Sequence, residues 1–173
     1  MTLAILSLGG NLGDPQAAMG EALRAMISAG IAVEKVSRLY RTPPWGPIKQ
    51  PDFLNCCALI DTSLDSGDLL DFCLSVEEGL QRERTERWGP RLIDIDIVDM
   101  DGPPARRTDL QLPHPRASDR AFVLVPMTEI TPERILFGLR PAEWLGGLDV
   151  SEIVPVTVDG EWWREPSAQS SAV

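Results

Sequence analysis

The chain has 173 residues, 43% of them apolar and 24% charged, and 16 basic against 26 acidic side chains give a net charge of −10. This composition suits one globular core, and so acidic a surface excludes an extended nucleic-acid partner, which needs a basic face. The longest uncharged run, residues 1–13, falls short of the roughly 20 apolar residues of a membrane span and lacks a basic leader. Cys56, Cys57 and Cys73 sit inside apolar runs and read as buried thiols of a reducing compartment. The expectation is a cytoplasmic protein without a membrane or nucleic-acid partner.

In chain order, Leu3 to Leu8 forms a short apolar run that ends in Gly9-Gly10, the pattern of a buried strand entering a tight turn. Asp14-Pro15 then supplies a helix cap and first-turn proline. Met19, Ala22, Leu23, Met26 and Ile27 follow at helical spacing up to Gly30. A second strand is predicted from Ile31 to Tyr40, and Thr42-Pro43-Pro44-Trp45-Gly46-Pro47 is a proline-stiffened loop suited to ligand contacts. Phe53 to Ile60 reads as a strand with Phe53, Asn55, Cys57 and Leu59 on one face and Leu54, Cys56, Ala58 and Ile60 on the other. A helix is predicted from Asp65 to about Arg84, its apolar stripe interrupted by Glu77, and a strand from Leu92 to Val98. Phe122 to Met127 is one more apolar segment. Beyond Pro132 the pattern weakens, and residues 167–173 read as a disordered polar tail. The order β-α-β-β-α-β predicts a two-layer α+β sandwich with a largely antiparallel sheet, one domain over residues 1–166.

The charge is unevenly spread. Fourteen of the 16 basic residues are Arg, and eight of these fall between positions 82 and 120. Arg presents a rigid fork that matches phosphate oxygens. Inside the same segment, Ile93-Asp94-Ile95-Asp96-Ile97 alternates strictly, so both carboxylates leave one face of one strand, roughly 6 to 7 Å apart. Like charges held that close call for solvent or a bridging cation, and Mg²⁺ is commonly bound by one or two carboxylates together with substrate phosphates. Arg87-Trp88-Gly89-Pro90-Arg91 stands directly before the pair, and the single histidine, His114, lies between two prolines a short way after it. There is no P-loop and no G-x-G-x-x-G, so a nucleotide is not held in either of those ways.

Taken together, Arg82-x-Arg84-x-x-Arg87-Trp88-Gly89-Pro90-Arg91-x-x-Asp94-x-Asp96 resembles the signature of the 6-hydroxymethyl-7,8-dihydropterin pyrophosphokinase family. Leu8-Gly9-Gly10-Asn11-Leu12-Gly13-Asp14, Tyr40-Arg41-Thr42-Pro43-Pro44-Trp45-Gly46, Gln50-Pro51-Asp52-Phe53-Leu54-Asn55 and Leu112-Pro113-His114-Pro115 with Arg120-Ala121-Phe122 resemble the family's other blocks in order and spacing. The resemblance covers about residues 1 to 132. It implies a ferredoxin-like α/β/α sandwich and transfer of pyrophosphate from ATP to the pterin hydroxymethyl group, leaving AMP. Asp94 and Asp96 would hold two Mg²⁺ ions, with Arg82 and Arg91 as catalytic cations. Glu77, Arg84, Trp88, Arg91, Ile97, His114 and Arg120 would line the ATP site, and Thr42, Pro43, Trp45, Phe53, Asn55 and Phe122 the pterin site. The implied working form is a monomer. Phe53 stands where many members have Tyr, Gly10 where Ser is usual, and Asp109, Gln111 and Trp45 also depart from the pattern.

Two other readings place similar residues on a similar sheet. A palm-type nucleotidyltransferase would release pyrophosphate, and a ligand-sensing module would bind an anion without turnover. Neither accounts for the blocks on the pterin side.

Overall fold

The structure, a computed structural model, describes residues 1–44, 46–81 and 92–164. The first apolar run becomes β1 (Thr2–Gly10), followed by α1 (Pro15–Ser28), whose first turn is capped by Asp14 accepting from the Ala17 N–H at 3.0 Å. β1 is longer than expected: Gly9 and Gly10 belong to the strand, and the turn comes at Gly13, where φ is +63°. The reason is local. A Cβ on Gly9 would come within 2.7 Å of the Asn55 Oδ1 on the neighbouring strand, so glycine is needed inside the ladder there.

The strand expected from Ile31 to Tyr40 is two pieces, β2 (Ala32–Val36) and β3 (Tyr40–Thr42), and both pair with β4 (Phe53–Thr62). Ser37 breaks them apart. Its N–H donates to the Cys57 carbonyl at 2.9 Å, and its Oγ accepts from the Cys57 N–H at 3.0 Å, so a side chain takes over from the ladder at that point. α2 (Ser66–Leu80) ends at Gln81, and the predicted continuation to Arg84 falls outside the described residues. β5 (Asp94–Met100) begins at the first carboxylate, two residues later than predicted, and extends two residues further.

The main sheet runs β5-β1-β4-β3-β8, where β8 is Val154–Pro155, with β2 also on β4 and every recorded pairing antiparallel. This is the ferredoxin-like α+β arrangement. Parity along β4 sorts the two layers as predicted. Cys56, Ala58 and Ile60 join Leu6, Leu8, Ile95 and Ile97 under α1 and α2, whereas Cys57 and Leu59 join Ile5 and Val98 under α3 (Ala121–Ile130). Phe122 to Met127 is therefore helical, and that helix covers the second face of the sheet.

Residues 133–164, whose pattern was weak, are packed. A short hairpin β6 (Ala105–Arg106) and β7 (Gln111–Leu112) precedes α3; α4 (Pro141–Leu145) and β8 (Val154–Pro155) follow it. β8 pairs outside β3, Trp162 donates through Nε1 to the Ser37 carbonyl at 2.9 Å, and Trp163 is buried in the core under α1 and α2. Arg24 on α1 fixes that last turn by donating to the Trp163 carbonyl at 2.7 Å. The expected tail, 167–173, lies outside the described residues.

Candidate active site

The second face of the sheet changes character at one end. Under α3 it is apolar, but toward the starts of β4 and β5 the same face carries Ser7, Gly9, Asn55, Asp94 and Asp96. Register places Ser7 opposite both Cys57 and Asp96, and Gly9 opposite both Asn55 and Asp94. A strand with polar groups on a covered face must satisfy them, and it does so here: Asn55, 4% exposed, donates through Nδ2 to the Thr42 Oγ1 at 2.8 Å across the β4–β3 pair. Phe53 pairs in register with Thr42 and shares the Asn55 face. Asn11, just past β1, donates to the Gln50 Oε1 and the Pro51 carbonyl, both at 2.9 Å, and so ties the 42–52 loop to the end of β1.

Along β5 the alternation is as read from the sequence. Asp94 and Asp96 are half-buried on the site face, and Ile93, Ile95 and Ile97 are buried on the other. Asp96 Oδ2 meets Arg120 Nη1 at 3.4 Å, longer than a tight charge-assisted contact, so the carboxylate is only partly neutralised. Arg120 also lies over the Phe122 ring, 5.7 Å from its centroid. Its Nε is buried with no hydrogen-bond partner among the described residues, a donor that an anion at the site could engage.

His114 lines the same small cleft as Ser7, Asp96 and Arg120. Its Nδ1 accepts from the Arg116 N–H at 3.1 Å, which leaves Nε2 to carry the proton of the neutral ring. Burial lowers its pKa, Arg120 and Arg116 push the same way, and only the nearby Asp96 opposes them. The imidazole therefore offers a neutral N–H donor. Next to it, Arg116, Asp119, Arg120, Ala121 and Phe122 line an open cleft of about 350 Å³.

Two predicted ATP-site residues lie deeper than expected. Ile97 is 3% exposed and its side chain faces the core under α1 and α2, leaving only its main chain toward the site. Glu77 is 4% exposed and does not reach for solvent: its Oε1 accepts from the Ile95 N–H at 2.6 Å, between the two aspartates, while Gln81 Nε2 donates to the Ile93 carbonyl. The end of α2 thus holds the main chain of β5 where the acidic pair begins. Thr42 is buried, and Pro43 is exposed beside it. Arg82, Arg84, Trp88, Arg91 and Trp45 lie outside the described residues. Ser7 and Asn11 were not singled out from the sequence as site residues. Ser7 was detectable as the one polar residue in the first apolar run, in phase with Gly9.

Residues 5–132 match the family model described as 7,8-dihydro-6-hydroxymethylpterin-pyrophosphokinase (HPPK). A protein of Methylorubrum extorquens named 2-amino-4-hydroxy-6-hydroxymethyldihydropteridine pyrophosphokinase is 46% identical over 154 residues, 88% of this chain and 98% of that one. One of the same name from Bacillus subtilis is 39% identical over 129 residues, 74% of this chain and 77% of that one. Among solved structures, Plasmodium falciparum HPPK-DHPS with pteroate superposes with a TM-score of 0.64 at 13% identity, covering 84% of this chain and 44% of that chain, a likeness of fold. The chain belongs to the HPPK family. It is a pyrophosphokinase of folate biosynthesis whose acceptor is 6-hydroxymethyl-7,8-dihydropterin.

Proposed function

We propose that the chain passes the β,γ-pyrophosphoryl group of ATP intact to the pterin hydroxymethyl oxygen through the residues gathered at this end of the sheet. The observation that carries the reading is Arg120, which pairs with Asp96 at 3.4 Å and lies over the Phe122 ring, so an anionic end and an aromatic end of one site meet at a single guanidinium. In this division of labour Asp94 and Asp96 hold two Mg²⁺ ions. The donor set fits: both are hard carboxylates on one strand face, Asp96 with a 45% exposed side chain, and Mg²⁺ typically completes such a site with phosphate oxygens. When bound, Mg²⁺ neutralises the charge around an in-line displacement at the β-phosphorus.

The chain's own side chains do the rest by holding and orienting. His114 donates from Nε2 to a phosphate oxygen, and Arg120 adds charge there through its buried Nε. Arg82 and Arg91 act as further cations, and Arg84 and Trp88 serve the ATP. Glu77 serves the nucleotide through the β5 main chain that it fixes, and Ile97 through its own main chain. Phe53 and Phe122 stack on the two faces of the pterin, while Asn55, Thr42, Pro43 and Trp45 meet its edge. Positioning and electrostatics suffice for such a transfer without a dedicated base. The working form is a cytoplasmic monomer with residues 1–166 as one domain, in keeping with Trp163 lying in the same core as β1.

The test is an assay of the purified protein with ATP, Mg²⁺ and 6-hydroxymethyl-7,8-dihydropterin, with products separated by ion exchange. AMP and a pyrophosphorylated pterin in equal amounts are expected. Release of free pyrophosphate, or AMP formation that ignores the pterin, overturns the reading.

A further inference from the structure

We propose that Tyr40 and Glu129 form a clamp that sets the spacing between α3 and the sheet, and hence the width of the slot between Phe53 and Phe122. Both are then positioning residues for the pterin, an inference that rests on the reading above. Tyr40 is 4% exposed, and its hydroxyl donates to Glu129 Oε1. Arg38 completes the arrangement from the β2–β3 break. Its main-chain N–H donates to Glu129 Oε2 at 3.0 Å, its Nε to Oε1 at 2.8 Å and its Nη2 to the Tyr40 oxygen at 3.1 Å.

Helix and strand periodicity give this cluster its leverage. Glu129 follows Phe122 by seven residues, so the two lie on one face of α3, about 10.5 Å apart along the axis. Tyr40 and Thr42 are two apart and share a face of β3, with Tyr40 in register with Asn55 and Thr42 with Phe53. α3 is therefore tied to β3 by directional bonds at its far end and presents Phe122 from its near end. Between them the contacts under α3, among them those of the Val123 and Met127 side chains, are apolar and lack direction, apart from one long contact of the Cys57 thiol with the Val123 carbonyl at 3.5 Å. They permit small tilts that a bonded carboxylate does not. The slot is sensitive to such tilts, because a gap of 0.5–1 Å forfeits roughly a quarter to a half of a dispersion contact.

The clamp keeps its donor and acceptor over a wide pH range. Burial and the neighbouring Glu129 push the Tyr40 phenol up to about 12, and the hydrogen bonds from Tyr40 and Arg38 hold the Glu129 carboxyl below its ordinary value against the opposing effect of burial.

The experiment is a double-mutant cycle on the full chain, Tyr40→Phe and Glu129→Ala, read as KM for pterin, KM for ATP and kcat, with calorimetric pterin binding beside them. Pterin-dependent AMP formation by the unaltered protein is established first, so that failure of the functional reading is seen separately. Each single variant is expected to raise the pterin KM and Kd about tenfold, with ATP KM within about twofold, and the double variant is expected to add little. Arg24→Met, which removes the bond from α1 to the Trp163 carbonyl on the opposite face of the sheet, is the stability control and is expected to leave the pterin KM unchanged. If Glu129→Ala does not fold, Tyr40→Phe alone decides through the KM split. An unchanged pterin KM in Tyr40→Phe, a matching rise in ATP KM, additive effects in the cycle or an equal rise in Arg24→Met overturns the proposal.

Discussion

The two faces of the central sheet use the same strands for opposite ends. Under α1 and α2, Leu6, Leu8, Cys56, Ile60, Ile95 and Ile97 meet Met19, Leu23, Met26 and Leu69 in a continuous apolar layer, most of it fully buried. The opposite face has a smaller cluster centred on α3, extended by Ala117, Leu136, Trp144 and Leu145, and it covers only part of the sheet. Where its cover ends, the inward positions change from Ile5, Val98 and Leu59 to Ser7, Gly9, Asn55, Asp94 and Asp96. One face supplies stability with nothing to recognise. The other leaves hydrogen-bonding groups on a rigid ladder whose opposite side is anchored, which is what precise positioning requires.

The contrast breaks most visibly at the acidic pair. Asp94→Ala is expected to lower kcat by about a hundredfold to a thousandfold while the protein stays folded, since Asp94 lies half-buried on the site face and outside both apolar clusters. Activity within tenfold of the unaltered protein would remove the pair from the metal site. Leu6→Ala, on the other face of the same sheet, is expected to do the reverse. It should cost about 2–5 kcal/mol of stability by chemical denaturation and leave kcat of the folded fraction within about twofold. Equal damage to rate and stability from both changes would mean that the faces are not separable.

Gly9→Ala falls between these cases. The added methyl meets Asn55 Oδ1 at 2.7 Å, so Asn55 must turn from Thr42 or β1 must shift. A loss of about 1–3 kcal/mol is expected, together with a raised pterin KM and an unchanged ATP KM. Loss of stability without a change in pterin KM would show that the Asn55–Thr42 pair is structural only.

The apolar face was the more legible of the two in the sequence. Its periodicity is local: the alternation in β4 and β5 and the helical spacing from Met19 to Met26 each lie within one element, and all reappear in the structure. The acidic pair was legible for the same reason. What escaped depended on contacts between elements distant in sequence. The break at Ser37 follows from hydrogen bonds to Cys57, and the strand status of Gly9 from the Asn55 side chain. Glu77 was singled out as a carboxylate on an apolar stripe, yet its partner is a main-chain N–H 18 residues away that no side-chain pattern reveals. The ordering of 154–164 rests on Trp162, Trp163 and Gly160 fitting against β2 and α1. A Cβ on Gly160 would run into the Val36 carbonyl oxygen, so the segment lies directly on that strand.

The smallest expected effect concerns the place where the two faces are joined, the link between α3 and β3. Glu129 has its carboxyl held below 4.5 in the folded protein, although burial alone pushes it upward, because Tyr40 and Arg38 hydrogen-bond to the charged form. A group whose folded pKa is depressed contributes stability that is fully present above its unfolded value and is lost as the pH falls through the folded one. Stability measured from pH 7 downward should therefore begin to fall near pH 4.5, and this part of the loss should be missing in Glu129→Ala and reduced in Tyr40→Phe. The quantity to compare is the difference between variant and unaltered protein at each pH. If that difference is the same at pH 7 and at pH 3, the carboxylate is not held by these partners, and α3 is kept in place by its apolar contacts alone.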